Sequence, residues 1–141
     1  MCCLGFCFFL FSTPHLILAD TGQVLPGNWK KISLSKIKVR VIDGDTFDAD
    51  IDRNGLFSNP EEKIRLLYVD TPELSESHKG KDFRHGLPAK TFLKSALLNG
   101  KAVLRVDPKN RKRDYGRLLV ILEVRWYNVN LTMIRHGYSY F

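Results

Sequence analysis

The chain has 141 residues, with 22 Lys and Arg against 15 Asp and Glu, a formal net charge of +7. That length suits one domain with a core of its own and leaves little room for a second. A hydrophobic fraction of 44% beside 26% charged residues excludes intrinsic disorder, and the lack of a Gly or Pro period excludes a fibre. The surplus positive charge points to an anionic partner, nucleic acid or a membrane surface, and says nothing of fold.

Residues 1–11 form an unbroken apolar run holding four phenylalanines and all three cysteines. A bilayer span takes about 20 apolar residues, so this run suits the hydrophobic region of a secretory signal instead. Pro14 breaks a helix near its end, and Ala19 offers a peptidase a small residue. Against this, no Lys or Arg precedes the run and Ile17 is bulky for its place. The reading is a signal peptide over residues 1–19, with a buried amphipathic start or an uncleaved anchor as the alternative. The protein is then secreted or held in the cell envelope, with no stable membrane association after leader cleavage. The clustered cysteines offer neither a disulfide framework nor a zinc pattern. No charged residue precedes Asp20, so the whole +7 falls on the mature chain.

Residues 20–36 show little periodicity and read as an N-terminal tether, followed by one domain over 37–141. Strand alternation runs through 37–41 and resumes over 46–51, with Asn54-Gly55 as a tight-turn signal. Residues 64–69 form an apolar strand interrupted only by Arg65, and 71–86 read as a polar loop. A helix is predicted over 88–99, with Pro88 in its first turn and Phe92, Leu93, Ala96 and Leu97 on one face. Strands are predicted at 102–106 and 118–124, with a basic loop between. A short helix over 128–136 is capped by Asn128, carries Leu131, Met133 and Ile134 as its apolar stripe, and is stopped by Gly137. Trp126 and Tyr127 read as a turn or a cover for the core, with base stacking left open. This is an α+β pattern around a five-stranded barrel.

Two segments concentrate the chemistry. Asp43-Gly44-Asp45-Thr46 closes the first strand region and Asp70-Thr71-Pro72-Glu73 closes the third. Asp43 and Asp45 point to one side if the chain there is extended. Carboxylates gathered in this way repel one another unless a cation sits among them, and oxygen-only ligands suit Ca²⁺ first and Mg²⁺ second. Asp at strand ends is also common for purely local reasons. The arginines shift the balance: Arg65 interrupts an apolar strand, and Arg117 opens another directly after Tyr115-Gly116. A guanidinium there needs an anion: a phosphate gripped through two oxygens or, for Arg65, Glu61 or Glu62 as a surface pair. A cation, a carboxylate and two arginines make a sensible site for attack on a phosphodiester.

Asp43-Gly44-Asp45-Thr46, the run Ile64-Arg65-Leu66-Leu67-Tyr68-Val69-Asp70-Thr71-Pro72-Glu73, and Asp114-Tyr115-Gly116-Arg117 resemble, in order and spacing, the three signature blocks of the staphylococcal nuclease family. The resemblance extends over about residues 37–137. It implies a five-stranded OB-fold β-barrel with helices. It implies Ca²⁺ held by Asp45, Asp70 and the Thr71 carbonyl, with Asp43 near the shell. Glu73 is implied as general base, Arg65 and Arg117 as the grip on the scissile phosphate, and Tyr115 as a neighbour of the nucleotide's terminal phosphate. The implied reaction is endonucleolytic hydrolysis of DNA and RNA, with water attacking in line and cleavage at the 5′ oxygen to leave 3′-phosphate ends. Single-stranded or denatured substrate and a monomeric enzyme are expected. The sequence departs from the family pattern in two places. Asp114 stands where a basic residue is usual, with Lys112 and Arg113 able to supply charge from nearby. The chain also reaches Phe141 without the usual third, C-terminal helix, so two helices are expected.

Asp50, Asp52, Asn54, Gly55 and Glu61 satisfy the spacing of an EF-hand calcium loop. Both flanks read as strands and Pro60 precedes Glu61, so a polar hairpin is the simpler account; a second, weaker Ca²⁺ is the alternative. The competing function class is a non-catalytic OB-fold module that binds single-stranded nucleic acid. Such a module has no need of Asp45, Asp70, Glu73, Arg65 and Arg117 together.

Overall fold

Alternation of apolar and polar residues dictates a sheet with one buried and one polar face, and the chain builds it from short strands. The computed structural model describes residues 28–72, 74, 86–98, 101–109 and 115–140. Its strands are β1 (Lys30–Ser33), β2 (Val39–Val41), β3 (Thr46–Ala49), β4 (Lys63–Leu66), β5 (Ala102–Val106), β6 (Leu118–Val124) and β7 (Tyr127–Asn128). Its helices are α1 (Gly86–Leu98) and α2 (Val129–Arg135). The residues read as a leader, 1–19, lie outside the described residues. No helix among those described is long and apolar enough to cross a membrane.

The sheet runs β1-β5-β6-β4-β3-β2, with β7 folded back on β6. All ladders are antiparallel except β4 with β6. The architecture is thus α+β, with two helices among the described residues. The strand count is seven among the described residues rather than five, and no ladder among them joins the edge strands β1 and β2. The additions are β7 and β1. Residues 30–33, read as part of the tether, pair with β5 in register from Lys30 opposite Val106 to Ser33 opposite Val103.

Phe47, Ile64, Leu66, Leu104, Leu122 and Val124 project from the sheet into the core, nearly or wholly inaccessible to solvent. Helix α1 closes this core with Ala89, Leu93 and Ala96, and α2 does so with Val129 and Met133. Asn128 caps α2 as predicted, its side chain accepting the Leu131 N–H at 3.0 Å, and Gly137 follows with φ +71°. The buried face of α2 is shifted from the expected stripe: Val129, Asn130 and Met133 are buried, whereas Leu131 and Ile134 are only partly so.

Asn130 is the polar residue on that face. Its amide nitrogen donates to the carbonyls of Leu67 (2.9 Å) and Val120 (3.0 Å), and its oxygen accepts the Leu122 N–H (2.9 Å). One side chain thereby ties α2, β6 and the chain leaving β4. Replacing it takes that partner from the Leu67 carbonyl and the Leu122 N–H, while the Val120 carbonyl keeps the Leu67 N–H (2.8 Å); each buried orphan costs about 1–3 kcal/mol, not additively. Asn130→Ala is expected to lower unfolding stability by about 2–4 kcal/mol in a denaturant titration. A loss under about 1 kcal/mol would contradict this role.

Candidate active site

The register of three adjacent strands sets the site. Thr46 on β3 lies opposite Arg65 on β4, and Arg65 lies opposite Leu119 on β6, two residues after Arg117. Arg65, Arg117 and Thr46 therefore share the sheet face turned away from the core.

Residues 42–46 form the turn between β2 and β3, closed by the Ile42 and Asp43 N–H groups on the Thr46 carbonyl (3.0 and 3.2 Å). Asp43 and Asp45 thus stand in a turn rather than an extended strand, and the Asp43 carboxylate accepts the Asp45 N–H at 3.1 Å. Gly44 is required by packing. A Cβ there would lie 2.6 Å from Thr71 Oγ1 and 2.7 Å from the Ala89 Cβ, inside any tolerable contact. The bare backbone lets the turn lie against both the segment after β4 and helix α1.

Asp45 is the centre of the arrangement, its side chain only 3% exposed. Its Oδ1 accepts from the Thr46 hydroxyl (2.8 Å) and Arg65 Nη1 (2.9 Å), and its Oδ2 accepts the Thr71 N–H (2.9 Å). Arg65 Nη2 reaches on to Asp70 Oδ1 at 2.9 Å, so one guanidinium bridges two carboxylates. Asp70 is half-exposed and is positioned from the C-terminal segment: its N–H donates to the Ser139 hydroxyl (3.0 Å), and its carbonyl accepts the Tyr140 N–H (2.8 Å). Arg117 Nη1 lies 3.4 Å from the Thr46 hydroxyl, and its guanidinium carbon lies 5.9 Å from the centre of the exposed Tyr115 ring.

These residues surround a solvent-open cavity of about 340 Å³ lined by Asp43, Asp45, Arg65, Asp70, Thr71, Pro72, Tyr115 and Arg117. Seven of the residues singled out in the sequence thus meet in one place. Glu73, Lys112 and Arg113 lie outside the described residues. The EF-hand-like set is rearranged: Asp50 and Asp52 gather with Glu62, not with Glu61. The 3-10 turn Pro60–Glu62 buries Glu62 and leaves Glu61 exposed. Asn54 donates its amide to Asp52. Ser139 and Asn130 carried no local signal beyond a polar residue among apolar neighbours.

Burial holds the Asp45 carboxyl above the ordinary aspartate pKa, and the charge of Asp43 adds to the rise. The Thr71 N–H, Arg65 and the Thr46 hydroxyl act in the opposite sense without cancelling it. A pKa raised in the folded state means that ionised Asp45 destabilises the fold. That cost is present at neutral pH and disappears as pH falls through the raised pKa. In chelator, the stability difference between the wild type and Asp45→Asn is therefore expected to move in favour of the wild type as pH falls from 7 through the raised pKa. A movement in favour of Asp45→Asn on acidification in the same thermal melts would contradict the assignment.

Residues 63–141 match the family described as staphylococcal nuclease homologue. The chain is 38% identical over 134 residues to the thermonuclease of Staphylococcus intermedius, covering 85% of this chain and 75% of that protein. It is 31% identical over 98 residues to endonuclease YncB of Bacillus subtilis (strain 168), covering 70% of this chain and 43% of the relative. The SPbeta prophage-derived endonuclease YokF of the same strain is 30% identical over 98 residues, with 70% and 31% covered. The chain thus spans less than half the length of the two Bacillus relatives. It belongs to the staphylococcal nuclease family.

Proposed function

We propose that the protein is a calcium-dependent endonuclease that hydrolyses phosphodiester bonds of DNA and RNA, secreted or held in the cell envelope once its leader is removed. The observation that carries this reading is the meeting of Asp43, Asp45 and Asp70 with Arg65 and Arg117 around one open cavity. The relatives' names, thermonuclease and endonuclease, support it. Strands β2 to β6 coincide with the five expected from the sequence, and an OB-like arrangement of them would suit single or denatured strands.

The donor set fits a hard cation. The cavity lining holds three carboxylates with no His or Cys, and Asp43 Oδ2 and Asp70 Oδ2 accept no hydrogen bond among the described residues. Asp45, Asp70 and the Thr71 carbonyl would hold Ca²⁺ with Asp43 beside them; when bound, the ion offsets the charge that gathers on the phosphate. Arg117, beside Thr46, would take two phosphate oxygens through its planar fork, as would Arg65 as it exchanges a carboxylate for the phosphate. Glu73 would orient and deprotonate the attacking water. In-line attack on phosphorus breaks the bond to the 5′ oxygen, leaving a 3′-phosphate and a 5′-hydroxyl. Tyr115 at the rim, with Lys112 and Arg113, would add sequence-independent affinity for the strand and a steep salt dependence. A monomer suffices, since every group in this scheme comes from one chain.

Glu73→Gln and Arg117→Ala are each expected to lower single-turnover cleavage of denatured DNA about 100-fold or more, as loss of a general base or a charge-stabilising donor does. Affinity for the same strand, measured with calcium replaced by a non-supporting ion, should change by less than about tenfold. A parallel loss of binding and turnover would assign the two residues to holding the strand rather than to the chemical step; binding by the wild type without cleavage would favour the non-catalytic module.

A further inference from the structure

We propose that the segment joining β3 to β4 holds a second Ca²⁺ at Asp50, Asp52 and Glu62, away from the catalytic cavity. This inference does not depend on the nuclease reading.

Asp50 and Glu62 are 5% and 0% exposed, which is unusual for carboxylates. Each keeps one oxygen, Asp50 Oδ1 and Glu62 Oε1, buried without any hydrogen-bond partner. Their other oxygens are satisfied, Asp50 Oδ2 by the Gly55 N–H (2.9 Å) and Glu62 Oε2 by the Asn59 N–H (3.0 Å). Neither has an ion pair to Lys or Arg among the described residues. A buried carboxylate left in that condition is strongly unfavourable unless a cation or a proton joins it.

The geometry favours a cation. One carboxylate oxygen from each of Asp50, Asp52 and Glu62 lies within 4.8 Å of the others. Oxygens that share a Ca²⁺ at about 2.4 Å can be no more than about 4.8 Å apart, so the three fit one coordination shell. The donors are all hard oxygens, and the irregular loop suits the adaptable shell of Ca²⁺ better than the strict octahedron of Mg²⁺. The loop is also shaped for the purpose. Asn54 donates to Asp52 Oδ2 at 3.0 Å while its own oxygen accepts the Leu56 N–H at 2.7 Å. Asn59 and Glu62 form a reciprocal capping box that fixes the Glu62 carboxylate. Exposed Asp52 leaves one side of the shell to water. An ion there would join the end of β3 to the start of β4, the two strands that carry Thr46 and Arg65 in register.

The rival is a proton shared between Asp50 and Glu62, and calcium titration of the full chain by calorimetry, without nucleic acid, separates the two. Asp45→Asn removes the carboxylate at the centre of the catalytic cavity, and this variant is expected still to bind one Ca²⁺ and to melt several degrees higher in its presence. Adding Asp52→Asn, at an exposed position where folding is not at stake, should weaken that binding at least tenfold and abolish the thermal shift. Adding Glu62→Gln instead should do the same. The proposal is overturned if Asp45→Asn binds no calcium, or if the added Asp52→Asn leaves affinity unchanged. It is equally overturned if Glu62→Gln raises the melting temperature alike with calcium and with chelator, which would assign the two buried oxygens to a shared proton.

Discussion

The arrangement of the site depends on one buried carboxylate. Asp45 sits 3% exposed at the turn between β2 and β3, where a charge survives only if every lone pair finds a donor or a cation. The donors come from three directions: the neighbouring Thr46 hydroxyl, Arg65 from β4, and the Thr71 amide beyond it. Meeting that demand draws the turn, the middle of the sheet and the segment after β4 into one cluster. Gly44 allows the approach, since no side chain fits between the turn and Thr71. Arg65 then carries the connection to Asp70, which the C-terminal residues Ser139 and Tyr140 hold from the other side.

The same economy explains the local charge. The chain is basic by +7, yet the cavity gathers Asp43, Asp45 and Asp70. Net positive charge suits long-range attraction of a polyanion, while the acidic cluster suits a cation at the point of chemistry. The two arginines at the cavity reconcile these demands, because each can face a carboxylate or a phosphate.

Much of this was legible in the sequence where the physics is local. Strands β5 and β6 fall on the residues their apolar runs mark out, and the Asn128 cap and Gly137 stop bound α2. Asp43, Asp45, Asp70, Arg65 and Arg117 could be named because their types are costly where they stand, an Arg inside an apolar strand and carboxylates crowded at strand ends, whereas Thr71 and Tyr115 came only with the family resemblance. Strand β1 carries no alternation to mark it, because Lys30-Lys31-Ile32-Ser33 is mostly exposed and owes its form to pairing with β5. The exchange of Glu61 for Glu62 depends on a 3-10 turn begun by Pro60, and the roles of Asn130 and Ser139 on partners 63 and 69 residues away. Such contacts leave no periodicity behind.

The cluster around Asp45 is proposed to cut phosphodiesters with the help of a bound cation. This is tested most directly by following cleavage of denatured DNA by the wild-type chain, first with calcium, then with chelator, then with calcium restored. Fragments with 3′-phosphate ends are expected in calcium, with arrest in chelator and recovery on restoration. Cleavage indifferent to chelation, or binding without cleavage in calcium, would contradict the proposal.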